Sequence, residues 1–530
     1  MTPLNVNEWI DADPDPVTRA ELAALSEHEL AERFSSPLTF GTAGLRGPVR
    51  GGPNGMNLAV VIRTTAGLAA WLTARCQGGS RVVVGRDARL GSEAFALAAA
   101  EVMAAAGFEV TLLPRPLPTP LVAFAVRRLG AAAGIQITAS HNPAADNGYK
   151  VYLSGGAQLV SPADREIESE IARIGSAADV ARASVIPADD SLVEEYIARI
   201  ATLPHGDARS IRIALTAMHG VGGGTATAAL RAAGFEDLHV VAEQFDPDPT
   251  FPTVEFPNPE EPGAADRLLA LARSVDADLA IALDPDADRC AVGVRDGDQW
   301  RMLRGDETGV LLADHVLSTA PEDSLVATTI VSSTLLSKLA KARGARFAQT
   351  LTGFKWLTRA GDGLVYAYEE AIGHCVDPDV VRDKDGISAA VLVADLAATL
   401  AGSNRTLLDV LGDYAVEFGL HCGDQVSRRV EDSSDIAEMM KRLRADPPSQ
   451  LAGEPVTTED LSLVRGGMRT DAVIFDGPSI RVVVRPSGTE PKLKCYLEVV
   501  VPVANRADLA NAVEQAKARL AELRTFALSL

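Results

Sequence analysis

The chain has 530 residues, 47% of them hydrophobic and 23% charged, a globular composition with room for about three to four domains. Its formal net charge of −21 argues against nucleic acid as a main partner, because phosphate backbones are held by Lys and Arg, yet leaves small anions open wherever a few arginines gather. Five cysteines standing singly (Cys76, Cys290, Cys375, Cys422 and Cys495) and an acidic opening stretch, MTPLNVNEWIDADPDP, argue against a disulfide framework, a zinc site or a signal peptide and fit a reducing cytoplasm; no apolar run reaches the ~18 residues of a membrane span.

In chain order, the first feature is FGTAGLRGPVRGG (40–52), a Gly-rich loop carrying Arg46 and Arg50. A strand-like run, RVVVGRD (81–87), then leads into SEAFALAAAEVMAAAG (92–107), a helical stretch ending at Gly. Glycine is expected there because the residue just past a helix often turns left-handed. The plan recurs as IRIALTAMHG (211–220) with TATAALRAAG (225–234), and as SLVATTIVSS (324–333) with TLLSKLAKARG (334–344). Apolar strands alternating with helices predict parallel strands covered on both faces. Three copies predict three α/β domains of similar build.

The tail reads differently. SIRVVVR (479–485) and KLKCYLEVVV (492–501) predict two strands joined by the turn PSGTEP, and ANRADLANAVEQAKARLAEL (504–523) predicts a helix. Together they make a smaller α+β domain. Boundaries fall in LPHGDARS (203–210), near Arg304 and after Leu420, giving domains 1–204, 205–303, 304–420 and 421–530. The Pro-rich stretch 246–263 is an irregular loop within the second domain.

Five segments carry candidate chemistry. In GIQITASHNPAADNGYK (134–150), Pro143 stops the apolar run from continuing as strand or helix. Ser140 is thereby presented at a strand's C-terminal end, where open α/β sheets bind ligands. It is either a turn serine or, with a base such as His141 or Lys150 nearby, a nucleophile or phosphoryl carrier. In LAIALDPDADR (279–289), Asp284, Asp286 and Asp288 follow a buried strand at alternate positions. Three carboxylates on one side repel unless a cation sits among them, and oxygen-only ligands favour magnesium or calcium. An EF-hand loop is excluded, because Arg289 and Arg295 occupy the positions of its Gly and Glu. A solvated acidic turn stays open.

The segment RPSGTEPKLK (485–494) has the makings of a phosphate cradle, with a forked donor in Arg485, hydroxyls on Ser487 and Thr489, and a flexible backbone at Gly488. TGFKW (352–356), YEEAIGH (368–374) and VRDKDG (381–386) either offer Glu369 and Glu370 to sugar hydroxyls and Lys355 and Lys384 to a phosphate, or carry them as solvated surface residues. A P-loop is absent, and GVGGGT (220–225) fails the dinucleotide fingerprint at Thr225, leaving a tight strand-to-helix turn.

The order GTAGLRG, TASHNPAADNGYKVY, DPDADR, TGFKW, EEAIGH and SGTEPK resembles the α-D-phosphohexomutase superfamily of phosphoglucomutases and phosphomannomutases. It is most similar to the subgroup that includes phosphopentomutase-type and glucose-1,6-bisphosphate-synthase-type members. The resemblance implies three related mixed-sheet α/β domains plus a smaller C-terminal α+β domain around a central cleft. It implies Mg2+ and a sugar 1,6-bisphosphate acting as intermediate and activator. By the same resemblance Ser140 is the phosphoserine; Ser140, Asp284, Asp286 and Asp288 hold the metal; and Lys150, His141 and Arg46 assist proton transfer and charge. Arg289 and Glu369 contact the sugar, and Arg485, Ser487, Gly488 and Thr489 grip its non-reacting phosphate. The expected reaction interconverts hexose 1-phosphate and 6-phosphate, of glucose or mannose, with sugar phosphates as partners. Where many members have Glu-x-Ser, this chain has Glu369-Glu370-Ala371, which keeps a pentose phosphate open. A sugar phosphatase and a silent binding protein are the readings from other classes.

Overall fold

The computed structural model describes residues 5–41, 44–430, 433–487 and 492–530. It divides into two compact units, Met1–Leu303 with Ile372–Thr399, and Arg304–Ala371 with Leu400–Leu530.

The first unit contains two five-stranded sheets. One is built from β1 (Leu45–Pro48), β2 (Arg81–Arg86), β3 (Glu109–Leu112), β4 (Ala133–Ile137) and β5 (Asp146–Leu153), in the order β1-β5-β4-β2-β3. The other is built from β6 (Ile213–Thr216), β7 (Leu238–Val240), β8 (Leu279–Leu283), β9 (Cys290–Asp296) and β10 (Gln299–Met302), in the order β10-β9-β8-β6-β7. The parallel pairs are those the alternation predicts: β2 with β3 and β4, and β6 with β7 and β8. The sheets are nevertheless mixed, because β5 runs antiparallel to β4 and β9 antiparallel to β8. Residues 138–145 and 284–289 are too few for a parallel crossover, so the chain must reverse there. Each reversal lies at the C-terminal end of the third strand of its repeat. That shared position brings Ser140 and Asp284 to equivalent places in two sheets.

Burial explains the sequence pattern. Successive residues Val82, Val83 and Val84 of β2 are all fully buried, as a strand covered on both faces requires. On one face Val82 and Val84 join Val61, Leu68 and Leu72 of the helix Leu58–Ala74 and Phe95, Ala99 and Met103 of the helix Ser92–Ala105. Each such Val or Leu contributes roughly 1.5–3 kcal/mol on burial. The glycines expected after the helices of the three repeats are all left-handed: Gly107 at φ 87°, Gly234 at 94° and Gly344 at 71°.

In the second unit, β11 (Leu325–Thr329) pairs in parallel with β12 (Arg346–Thr350) and with β13 (Leu364–Glu369). This is the third copy of the plan, and its third strand ends on Glu369. The C-terminal residues form an antiparallel sheet that includes the expected hairpin, Ile480–Pro486 against Lys492–Val501. The last helix runs over Leu509–Ser529, later than 504–523, because Asn505 first caps a short 3-10 turn at Arg506–Asp508. Its Ala512, Ala516 and Leu523 pack with Val482, Val484, Leu497 and Val499. Among the described residues, no single helix is long and apolar enough to cross a membrane.

Candidate active site

Ser140 stands just past β4. It is 1% exposed and has φ 52°, in the left-handed region. The backbone turns there because the Thr138 hydroxyl accepts a hydrogen bond from the Ser140 N–H at 2.9 Å. The Ser140 hydroxyl then points into the protein, donating to Asp284 Oδ2 at 2.8 Å, with His141 Nδ1 at 3.1 Å. Burial, followed by the nearby Arg289 and Arg46 charges, holds the His141 pKa well below the ordinary histidine value, so its imidazole is neutral.

Asp284, Asp286 and Asp288 are each 0% exposed, and one carboxylate oxygen from each lies within 4.8 Å of the others. Convergence comes from a tight turn rather than an extended segment: the Ala287 N–H donates to Asp284 O at 2.8 Å, and Ala287 takes φ 53°. Lys150, opposite Gln136 on β5, donates to Asp286 Oδ2 at 2.7 Å and Asp288 Oδ2 at 2.8 Å. Burial disfavours its charge, but the two carboxylates outweigh burial and hold its pKa above the usual lysine value. Burial, with repulsion from Asp286 and Asp288, pushes Asp284 well above the carboxylate range. Asp286 Oδ1 and Asp288 Oδ1 are buried with no hydrogen-bond partner among the described residues. A hard divalent cation answers both observations, because it supplies positive charge where Asp284 lacks it and occupies orphaned oxygens.

Four profiles match the chain in sequence. They are described as phosphoglucomutase/phosphomannomutase alpha/beta/alpha domains I, II and III, over residues 37–178, 194–297 and 304–415, and the C-terminal domain of the same proteins, over 426–516. The chain belongs to the phosphoglucomutase/phosphomannomutase family. It is therefore a phosphosugar mutase, an isomerase that moves a phosphoryl group within its substrate. A Haemophilus influenzae protein named "Probable phosphomannomutase" is 42% identical over 453 residues, 84% of this chain and 93% of its own. A human protein named "Phosphopentomutase" is 34% identical over 97% of this chain and 93% of its own. A phosphomannomutase-type structure from Thermus thermophilus superposes with a TM-score of 0.73 at 25% identity, covering 93% of this chain and 99% of its own.

The remaining candidates of the mutase fall into two groups. Arg46 joins the serine loop, donating to Asn142 Oδ1 at 3.1 Å. It sits on strand β1 rather than in a loop, because 45–48 pair antiparallel with β5 and set Arg46 opposite Gly148. The Arg289 backbone N–H donates to Asp284 Oδ1 at 3.0 Å, and its guanidinium lies 3.4 Å from Glu260 of the Pro-rich loop. Lys384 meets a carboxylate: its Nζ lies 3.3 Å from Asp288 Oδ2. It is brought there because Asp383 accepts from Tyr152 OH at 2.6 Å and Gln158 Nε2 at 2.7 Å.

The second group belongs to the second unit. Glu369 ends β13 and Lys355 lies on the short helix Phe354–Leu357. Glu370 is held within its own domain, accepting from the hydroxyls of Thr329 and Ser332 at 3.1 Å each. Arg485 pairs with Lys494, and the Ser487 N–H donates to Lys492 O at 2.8 Å. Gly488 and Thr489 lie outside the described residues.

Two buried partners escaped the sequence reading. Thr119 donates from its hydroxyl to Asp286 Oδ2 at 2.5 Å and from its N–H to Asp286 O at 2.9 Å; in PLPTP it has the look of an ordinary helix start. Arg89, in GRDARLG, lies beneath the serine loop. Its signal was its place just past β2, the strand beside β4.

Proposed function

We propose that this mutase interconverts hexose 1-phosphate and hexose 6-phosphate, of glucose or mannose, through a phosphorylated Ser140 and a sugar 1,6-bisphosphate intermediate. The carrying observation is the buried Ser140 hydroxyl 2.8 Å from Asp284, inside a trio of carboxylates within 4.8 Å of one another. Magnesium bound by Asp284, Asp286, Asp288 and an oxygen on Ser140 neutralises charge on the transferring group.

In the forward step phosphorylated Ser140 transfers its phosphoryl to the free hydroxyl of the sugar 1-phosphate. The bond from phosphorus to Ser140 Oγ breaks, a bond to the sugar oxygen forms, and the sugar hydroxyl's proton passes to the neutral imidazole of His141 or to solvent. Lys150, kept as an ammonium by Asp286 and Asp288, fits the role of proton donor to the departing Oγ. In the return step the Ser140 hydroxyl attacks the other phosphoryl of the bisphosphate, the bond from that phosphorus to the sugar oxygen breaks, and the sugar oxygen leaves as a hydroxyl, taking up a proton. The Ser140 proton has two acceptors within reach, Asp284 and the neutral imidazole of His141. Arg46 and Arg289 supply further positive charge. Glu369 and Lys355 are assigned to the sugar, and Arg485, Ser487, Gly488 and Thr489 to the phosphate that does not react; Lys384 is reassigned to balancing Asp288.

Hexose is favoured by the 42% identity to the Haemophilus protein over the 34% to the human phosphopentomutase. The second reading, a phosphopentomutase, is favoured by Ala371, which has no hydroxyl to offer beside Glu369. We also propose the domain division 1–204, 205–303, 304–420 and 421–530; the third and fourth profiles, 304–415 and 426–516, fall within it, whereas the second begins at 194, before the first boundary. A cytoplasmic location is supported by all five cysteines being free. Ser140→Ala is expected to abolish turnover, measured as conversion of glucose 1-phosphate with Mg2+ and a trace of glucose 1,6-bisphosphate. Turnover retained near wild type would sink the assignment.

A further inference from the structure

The loop that carries Ser140 has few bonds of its own. Within it the Ser140 N–H donates to Thr138 Oγ1 at 2.9 Å, the Asn142 N–H to Ala139 O at 3.1 Å, Asn142 Nδ2 to Asp146 Oδ2 at 3.0 Å, and the Asp146 N–H to Pro143 O at 3.0 Å. Ser140 at φ 52° occupies a region that a side-chain-bearing residue leaves unless its surroundings hold it there. The Thr138 hydroxyl starts that turn, and Arg89 holds the loop beyond it. The Arg89 side chain is 1% exposed. Nη2 donates to Ser140 O and Asn142 O, both at 2.6 Å, and Nη1 donates to Pro143 O at 2.7 Å and Asp146 O at 3.1 Å. All the terminal N–H groups of the guanidinium thus end on carbonyls of one loop.

The guanidinium is itself oriented from the side of β2 and from the Pro-rich loop. Nε faces Asp87 Oδ2 at 3.4 Å, and Asp87 Oδ1 accepts from the Arg89 N–H at 2.9 Å and from Ser92 Oγ at 2.6 Å. The ring of Phe251 lies 4.9 Å from the guanidinium carbon. Asn142, whose carbonyl Arg89 holds, also accepts from Arg46. One side chain therefore places both the Ser140 hydroxyl and the acceptor that orients Arg46.

We propose that Arg89 is the positioning residue of the phosphoryl-carrier loop: by binding the carbonyls of Ser140, Asn142, Pro143 and Asp146 it keeps Ser140 in the left-handed conformation that sets Oγ on Asp284. This rests on Ser140 being the carrier. A carrier must present the same oxygen once to give and once to receive in each cycle, so looseness in this loop acts on kcat more than on KM. Lysine cannot substitute, because its N–H groups leave from one point and do not span the four carbonyls.

Arg89→Lys keeps a cation against Asp87 and avoids the buried unpaired carboxylate that an apolar residue would leave. We expect kcat to fall about 100-fold, equal to ~2.7 kcal/mol, with KM for glucose 1-phosphate changed by less than about threefold. Transfer of phosphate from glucose 1,6-bisphosphate to Ser140 in a single turnover slows by the same factor, and the Mg2+ affinity stays within about threefold. In Arg89→Gly, added methylguanidinium is expected to raise turnover at least about tenfold. A folded Arg89→Lys protein with wild-type kcat, or one whose Ser140 is phosphorylated at the wild-type rate, overturns the proposal. Failure of both variants to yield folded protein overturns it in favour of a folding role. Wild-type protein that takes no phosphate on Ser140 refutes the carrier assignment instead, so the two failures are told apart.

Discussion

At the scale of single residues, the carboxylate turn depends on a glycine behind it. A Cβ on Gly220 would lie 2.3 Å from Pro285 Cα and 2.4 Å from Pro285 O, and the next residue, Val221, donates its N–H to Pro285 O at 2.8 Å. Nothing at Pro285 is a flexible side-chain tip, so the backbone between Asp284 and Asp286 must move. Gly220→Ala is expected to lose roughly 1–3 kcal/mol of stability in denaturant melts and to bind Mg2+ more weakly by titration. Unchanged Mg2+ affinity beside lost stability would show that the turn tolerates displacement. Residues whose chemistry is contiguous in the chain, Ser140 with His141 and the three Asp, were legible because one short loop delivers them together. Thr119 and Arg89 were not, and neither was the pairing of Lys384 with Asp288, because the partners are distant in sequence: Thr119 and Asp286 are 167 positions apart, and Arg89 and Ser140 are 51 apart. In GVGGGT only Gly220 and Val221 turn, because the helix already starts at Gly222, and what that turn presses against is a matter of packing that no local pattern encodes.

At the scale of elements, the three strand–helix repeats were legible from apolar runs and from the glycines that end the helices. Strand direction was not fully legible. The reversals at β5 and β9 follow from connection length and from which neighbour has a free edge, and β1 was hidden by its glycines. In the second unit, polar groups tie β13 to the helix Gly305–Leu317. Asp306 accepts from the Ser333 N–H at 2.8 Å and from Tyr368 OH at 2.9 Å. Burial, with Glu370 and Glu498 nearby, raises its pKa to about 7. The folded chain therefore binds a proton at Asp306 that the unfolded chain releases near pH 4. Stability from this group is full below about pH 4 and is lost as the pH rises through about 7, with a slope of at most ~1.4 kcal/mol per pH unit for one proton. Asp306→Asn keeps the oxygen that accepts both bonds and removes the titration. Its stability relative to wild type is expected to rise between pH 5 and pH 8, read by thermal unfolding at both. An equal difference at the two pH values would contradict this.

At the scale of the whole molecule, a net charge of −21 coexists with a site for anionic substrates. Arg46, Arg89, Arg289, Lys150 and Lys384 are gathered around the serine loop and the Asp turn, so the local charge differs from the global one. On the proposed reading the sugar is chosen at Glu369, beside Ala371, which carries no hydroxyl. In a comparison of glucose, mannose and ribose 1-phosphates by kcat/KM, a hexose is expected to lead by about tenfold or more, ~1.4 kcal/mol in transition-state binding. Ribose 1-phosphate leading would leave the mutase chemistry intact and make Ala371 the first residue to exchange for Ser.

The most direct measurement is peptide mapping by mass spectrometry of the protein after incubation with glucose 1,6-bisphosphate and Mg2+. One phosphate per chain, located on Ser140 and removed again by an excess of glucose 1-phosphate or glucose 6-phosphate, is the predicted result. A protein that turns over while Ser140 stays unmodified, or that carries its phosphate on another residue, would contradict the account.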